Sequence, residues 1–304
     1  MLAVRLAVPA MTTKLKTLLS RGDFVLAPGV FDMFSARIAE KVGFKTLYMT
    51  GYGVAGSYAG VPDAGLVTYT ELLERARCIA EGTTAALIAD ADTGFGGLLN
   101  IRRTVRGYEA AGVQAIQIED QEMPKKCGHT RNRRVVPIAE AVQRIEVAVG
   151  ARRHDDTLIV ARTDARTGLG LDEAIRRGRA FAKAGADIVF VEAPESAEEF
   201  RRISGEIDAW LLANMVPTGL SPVIAKDDLK AWGYDVAIYP AAGMSVACAA
   251  MAKNFSYLME HGSTKGSPVA AYSMRELHEL TGFGDVWAFE SRYSLGTRNR
   301  NGSA

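Results

Sequence analysis

At 304 residues the chain is long for one average domain but ordinary for a single α/β barrel. Apolar residues make up 48% and charged residues 23% of it, the balance of a globular protein with a large core. A net charge of +1 excludes the basic bias of a nucleic-acid binder or of a protein drawn to an anionic membrane surface. Cys78, Cys127 and Cys248 are odd in number and form no CxxC pair, which excludes a zinc ribbon or thioredoxin-like motif and fits a reducing compartment.

The opening segment has no acidic residue before Asp23 and reads either as a weak transit peptide or as an untidy start ahead of Met11. Arg5 and Pro9 break its apolar run too early for a secretory signal. From there strand and helix patterns alternate. Strands are predicted at 23–28, 44–50, 85–92, 113–120, 157–163, 186–193, 210–215 and 234–240. Helices are predicted at 31–42, 69–82, 99–111, 137–149, 171–184, 195–203, 225–232 and 241–261. One phrase recurs at KVG-FKTLYMT, AAG-VQAIQIED, KAG-ADIVFVEA and AWG-YDVAIYP: a helix ends in glycine and an apolar strand follows. Glycine at that position accepts the left-handed backbone that stops a helix, and unbroken apolar runs suit strands covered on both faces. Eight such units with no Pro/Ser-rich linker favour one closed (β/α)8 barrel over an open doubly wound sheet. The apolar run 241–252 is shorter than a membrane span and is closed by Lys253 and Asn254, so a cytoplasmic protein is expected. Beyond 266 the pattern adds helices at 270–280 and 284–293, a C-terminal extension covering about 266–295, and then a polar tail, 296–304, expected to be disordered.

Barrel enzymes carry their chemistry at the C-terminal ends of the strands. Those ends hold Tyr48 and Thr50, Asp90 and Asp92, Glu119 and Asp120, Arg162 and Asp164, Glu192, Asn214 and Tyr239. Asp90 and Asp92, two apart on a strand, would point to one side; they read as hard oxygen ligands for Mg²⁺, with Glu119 in reach, or as loop-fixing aspartates. Cys127 stands among Lys125, Lys126, His129, Arg131, Arg133 and Arg134. That setting would lower a thiol pKa or draw in a carboxylate, unless the segment is merely a solvated basic loop. Its length and Gly128 suggest a mobile lid. Arg162 could clamp a carboxylate bidentately, or pair with Glu192 or Asp164. TGYGVAG (50–56) matches GxGxxG but lacks the acidic strand end a dinucleotide site needs, so its glycines are read as admitting an anionic substrate to the backbone. No predicted strand interior holds a lysine, which argues against Schiff-base chemistry.

Taken together, LYMTGYGVAGSYAGVPD, ADADTGFGG, IQIEDQEMPKKCGH, VARTDA, FVEAPE, LLANM and IYPAAG, in that order over roughly residues 20–245, resemble the isocitrate lyase/phosphoenolpyruvate mutase superfamily. The resemblance implies Mg²⁺, with Mn²⁺ as a substitute, held mainly by Asp90 and Asp92 with Glu119 nearby, partly through water. It implies that Thr50, Gly51, Tyr52 and Asp63 bind an α-keto or α-hydroxy acid end, and that Arg162, Glu192 and Asn214 hold the carboxylate. KKCGH marks the carbon–carbon lyase branch. There Cys127 would protonate the carbanionic product, with Lys126, Gly128, His129 and the lid arginines around it. Tyr48, Lys125 or a water are the candidate bases. Ser245 and Pro217 stand where 2-methylisocitrate-cleaving members carry arginine and glutamate, and Pro240 where oxaloacetate-hydrolysing members tend to carry serine. The expected substrate is therefore a 2,3-dimethylmalate-like dicarboxylate. The superfamily further implies a homo-oligomer, dimer or tetramer, that exchanges the C-terminal helices bearing Leu277, Leu280, Phe283, Trp287 and Phe289, with Arg275 near a substrate pocket.

Overall fold

The computed structural model describes residues 13–130 and 132–293; the possible leader, Arg131 and the 296–304 tail lie outside the described residues. The chain divides into two compact units, 1–247 and 248–304.

The first unit is the expected barrel. Its strands are β1 (Val25–Val30), β2 (Thr46–Met49), β3 (Ala86–Asp90), β4 (Ala115–Glu119), β5 (Leu158–Thr163), β6 (Ile188–Val191), β7 (Trp210–Asn214) and β8 (Val236–Tyr239). Each pairs in parallel with the next, and β8 closes on β1. The helices α2 (Met33–Val42), α4 (Tyr69–Gly82), α5 (Leu98–Ala110), α6 (Ile138–Ala151), α8 (Leu171–Lys183), α9 (Ala197–Glu206) and α10 (Lys226–Ala231) fall between the strands. Their starts follow local chemistry: Asp32 with Ser35 and Thr68 with Glu71 form reciprocal caps on α2 and α4. Gly43 ends α2 at φ 113°.

Side-chain alternation along the strands sorts two cores. Val25, Ala27, Ala86, Ile88, Ala115, Leu158, Val160, Ile188, Leu212 and Val236 fill the barrel interior. Their neighbours, among them Leu47, Leu87, Ile116, Ile159 and Leu211, pack outward against Leu72, Ile101, Ile145, Ile175 and Phe200 of the helices. The same two-residue period carries each interior row to its C-terminal end: Ala86 and Ile88 lead to Asp90, Leu158 and Val160 to Arg162, Ile188 and Phe190 to Glu192, Leu212 to Asn214. The polar groups thus arrive at one mouth of the barrel. A short helix, α1 (Leu15–Ser20), joins the interior core through Leu15 and Leu19.

Three short helices escape the periodicity: α1, α3 (Gly51–Val54), which runs into a π-helical turn at Ala55–Ala59, and α7 (Ala165–Leu169). One or two turns do not span enough residues for a 3.6 period to show.

The last helix to start in the first unit, α11 (Ala242–His261), crosses into the second. There α12 (Met274–Thr281) is capped by Ser273 and Glu276, and α13 (Phe283–Tyr293) follows Gly282. His278, Phe283 and Trp287 meet at tilted and edge-on angles, with ring centroids 4.5–6.2 Å apart. Arg275 lies 3.9 Å from Glu279, one turn along α12. Among the described residues no helix is long and apolar enough to cross a membrane.

Candidate active site

A cavity of about 510 Å³ opens among the C-terminal ends of the strands. Its polar lining is Tyr48, Thr50, Tyr52, Asp63, Asp90, Cys127, Gly128, His129, Arg162, Glu192 and Asn214. Its apolar lining is Val216, Pro217, Pro240, Ala241, Met244 and Phe190, whose ring lies 5.3 Å from the Arg162 guanidinium, and Thr218 and Ser245 complete it. Gly51 and Asp92 line a smaller recess that shares Asp63.

Asp90 ends β3, where its Oδ1 accepts from Asp92 N (3.0 Å) and Gln117 Nε2 (3.3 Å). Asp92 does not continue the strand: its φ of 49° turns the chain, so the expected shared side along one strand gives way to a tight turn. Gly51 lets α3 close over this turn, because a Cβ there would stand 2.7 Å from Asp90 Oδ2. The GYG glycines thus serve close packing as well as openness.

Asp92 Oδ1 lies 2.6 Å from Lys125 Nζ, which also pairs with Asp63. Lys125 is not a solvated loop lysine. Its side chain is buried, and burial alone would discharge it, but Asp92, Glu119, Asp90 and Asp63 hold its pKa well above the ordinary value. These four carboxylates favour its charged form. Burial pushes Asp92 up to about 7, against the pull of Lys125 and with the push of Asp90 and Asp63. Glu119 is buried with no hydrogen bond to either carboxylate oxygen, and burial raises its pKa well above the carboxylate range although Arg162 Nη1 lies 3.2 Å away.

Asp90, Asp92 and Glu119 thus bring together more buried carboxylates than Lys125 can pair, and the raised pKa values of Asp92 and Glu119 show that their ionised forms lack a compensating charge. That donor chemistry fits a divalent cation of the Mg²⁺ type. Among the described residues no three His, Cys, Asp or Glu side chains converge to hold a metal ion by themselves, so such an ion would keep water ligands.

Both expected partnerships of Arg162 meet in one place. Asp164 accepts from its Nε (3.0 Å) and Nη2 (2.9 Å), while Glu192 lies 3.8 Å from Nε. Asn214 Nδ2 donates to Glu192 Oε2 at 3.1 Å. His129 Nδ1 accepts from Leu220 N (3.3 Å), and its Nε2 lies 3.3 Å from Asn214 Nδ2 and 3.5 Å from Glu192 Oε1. Gly128 is obligatory here: a Cβ would stand 2.5 Å from Arg162 Nη2 and 2.8 Å from Glu192 Cδ.

The basic loop around Cys127 overturns the expectation of a lowered thiol pKa. Burial raises it, and a backbone bond near His129 only partly offsets this. The neighbouring cations are spent elsewhere: Lys125 on Asp63 and Asp92, Arg133 on Asp164, Arg134 on Glu122 at 2.9 Å. Lys126 does not reach the cavity; it lines a separate surface pocket with Gln121, Glu122 and Arg134. The Tyr48 phenol is shifted in the same direction as the Cys127 thiol. Buried, and facing Asp90, its phenol is held well above the ordinary value, and it donates to Gln117 Oε1 at 3.2 Å.

Sequence reasoning missed Phe190, Thr218 and Met244 as cavity walls. Phe190 was legible, two residues along from Ile188. Thr218 carries a φ of 64° in a turn closed by Gly219 N to Val216 O at 3.0 Å, which no sequence pattern announces. Among the described residues, every non-glycine with left-handed backbone (Asp92, Phe95, Asn132, Ala193 and Thr218) lies in a loop that follows a strand's C-terminal end. Strain concentrates where the polar groups meet.

Residues 15–259 match the family model "Phosphoenolpyruvate phosphomutase". The chain is 45% identical to the 2,3-dimethylmalate lyase of Eubacterium barkeri over 93% of its own length and 98% of that protein's. It is 42% identical to a 2-methylisocitrate lyase of Aeropyrum pernix, over 89% and 87% of the two chains. A solved oxaloacetate acetylhydrolase in complex with the inhibitor 3,3-difluorooxalacetate superposes with a TM-score of 0.88 at 36% identity, covering 92% of this chain and 96% of that one. A phosphonopyruvate hydrolase solved with oxalate and Mg²⁺ gives 0.83 at 32% identity, covering 92% and 98%. A closed barrel with this mouth, matched over nearly its whole length by such relatives, makes the chain a member of the phosphoenolpyruvate phosphomutase family within the isocitrate lyase/phosphoenolpyruvate mutase superfamily.

Proposed function

We propose that this carbon–carbon lyase cleaves the C2–C3 bond of a 2,3-dimethylmalate-like 2-hydroxy dicarboxylate to pyruvate and propionate. The observation that carries the reading is the composition of the cavity lining. Arg162 is the sole Arg or Lys among the described residues lining it, while Pro217, Pro240 and Met244 contribute carbon and Ser245 bonds back to Ala241 O at 2.7 Å. A third carboxylate would meet carbon there, where a methyl group is at home. The 45% identical 2,3-dimethylmalate lyase supports this over 2-methylisocitrate.

In this reading Thr50, Gly51, Tyr52 and Asp63 flank the hydroxy-acid end, and Arg162, with Glu192, Asn214 and His129, receives a carboxylate. Mg²⁺ or Mn²⁺ at Asp90 and Asp92, with Glu119 through water, would polarise the substrate's 2-oxygen; the Mg²⁺ and oxalate in the related phosphonopyruvate hydrolase support that choice. A proton leaves the 2-hydroxyl. The raised pKa values of Tyr48 and Lys125 favour a water as the base over either side chain. The pair left on oxygen by the broken O–H bond forms the keto group of pyruvate, and the C2–C3 pair passes to C3 and its carboxylate as an enolate. Cys127, kept neutral by burial, gives its proton to C3 to complete propionate, and the thiolate is reprotonated from solvent.

The decisive experiment measures pyruvate release from 2,3-dimethylmalate with Mg²⁺ and with excess chelator, against 2-methylisocitrate and oxaloacetate. Chelator-sensitive turnover fastest on dimethylmalate is expected. Faster oxaloacetate hydrolysis would replace this reading with that of the acetylhydrolase. We further propose a cytoplasmic homo-oligomer, dimer or tetramer, with exchanged C-terminal helices. Exposed Met259, Trp287 and Phe289 favour it, and light scattering tests it.

A further inference from the structure

Cys127 stands on an irregular segment between β4 and α6, and a chain of bonds ties it down. Thr130 N and Oγ1 donate to Cys127 O at 3.0 and 2.7 Å. Arg133 Nε donates to Thr130 O at 3.2 Å. The Arg133 guanidinium then crosses to the start of α7, where Nη2 donates to Thr167 Oγ1 at 2.6 Å and Nη1 pairs with Asp164. That Asp164 is the carboxylate that grips Arg162, and it is itself fixed by its N–H to Asp120 Oδ1 at 2.9 Å.

We propose that Arg133 is a positioning residue: it sets the Cys127 thiol against Arg162 by anchoring the Cys127–Arg133 segment on Asp164. An arginine of a solvated loop would extend into water, whereas this one is buried and uses three donor positions on three separate acceptors. Asp164 grips Arg162 through bonds of its own, so losing Arg133 would leave the substrate arginine in place and free the segment that carries the acid. The inference rests on the lyase reading of Cys127.

The test is a double-mutant cycle on the full chain with Mg²⁺, pairing Arg133→Gln with Cys127→Ser. With Cys127 present, Arg133→Gln should lower kcat about 10- to 100-fold while KM changes less than about 3-fold, the scale of a small displacement of a catalytic group. In the Cys127→Ser background the same change should cost less than about 3-fold. Arg133→Lys, which keeps the charge on Asp164 and loses the fork, should recover part of the rate. Equal penalties in both backgrounds would mark an ordinary structural ion pair and overturn the proposal. Peptide-resolved alkylation of Cys127 by iodoacetamide gives a readout free of the substrate. The Gln variant should react several-fold faster, and an unchanged rate overturns the anchoring role even if 2,3-dimethylmalate proves the wrong substrate.

Discussion

Asp92→Asn should remove one component of the pH dependence of stability that the wild-type barrel carries in the absence of metal. Burial raises the Asp92 carboxyl from 3.8 to about 7. The folded chain therefore holds a proton at pH 5–6 that the unfolded chain has already lost. By linkage its contribution to stability is present at acid pH and is lost as pH climbs through 7, the reverse of a salt-bridged surface aspartate. The shift of 7 − 3.8 = 3.2 corresponds to about 4 kcal/mol over the full window, of which about 3 kcal/mol falls between pH 5 and pH 8. For a barrel of this size that is a drop in Tm of about 5–10 °C across the interval. Glu119 and Asp120, also raised by burial, add slope of the same sign, so the comparison with Asp92→Asn isolates the one group. Mg²⁺ requires the ionised carboxylate, so its stabilisation should grow toward pH 8 and weaken about tenfold in affinity per pH unit below 7. Scanning calorimetry of both proteins from pH 5 to 8, in chelator and in Mg²⁺, reads all of this. Parallel Tm slopes for the two proteins in chelator would refute the reasoning.

Gly128→Ala puts a methyl 2.5 Å from Arg162 Nη2, so kcat/KM should fall by about 100-fold or more while the circular dichroism spectrum stays that of the wild type. Thr218→Gly relieves a β-branched residue at φ 64°, a cost of about 1–2 kcal/mol against about 0.5–1 for glycine's extra chain entropy. Its Tm should rise by about 1–3 °C, and a fall would show that the turn is unstrained. Tyr48→Phe loses one bond to Gln117 and should reduce kcat less than about 10-fold; a loss of 10²–10⁴ would make the phenol a proton-transfer group after all.

The sequence made the barrel and its mouth readable because one rule governs both. Glycine-ended helices followed by apolar runs mark the units, and the two-residue period that fills the interior also delivers Asp90, Arg162, Glu192 and Asn214 to the same end. What could not be read is where charge goes once the chain closes. Around Cys127 the sequence shows six nearby basic or imidazole side chains, and density of that kind suggests a thiolate. A pKa answers to the charge left within a few ångströms after pairing, and to burial. Lys125 is neutralised by Asp63 and Asp92, 62 and 33 positions back along the chain, and Arg133 by Asp164, 31 positions on. Nothing local announces those partners. The raised thiol pKa, and not the lowered one that the loop charges suggest, is what the proposed general-acid role of Cys127 needs: burial keeps the thiol protonated, with a proton to give to C3. The same pairing leaves Arg162 as the cation facing the cavity, so the folding of the loop charges decides both what the acid can do and how many carboxylates the site can hold.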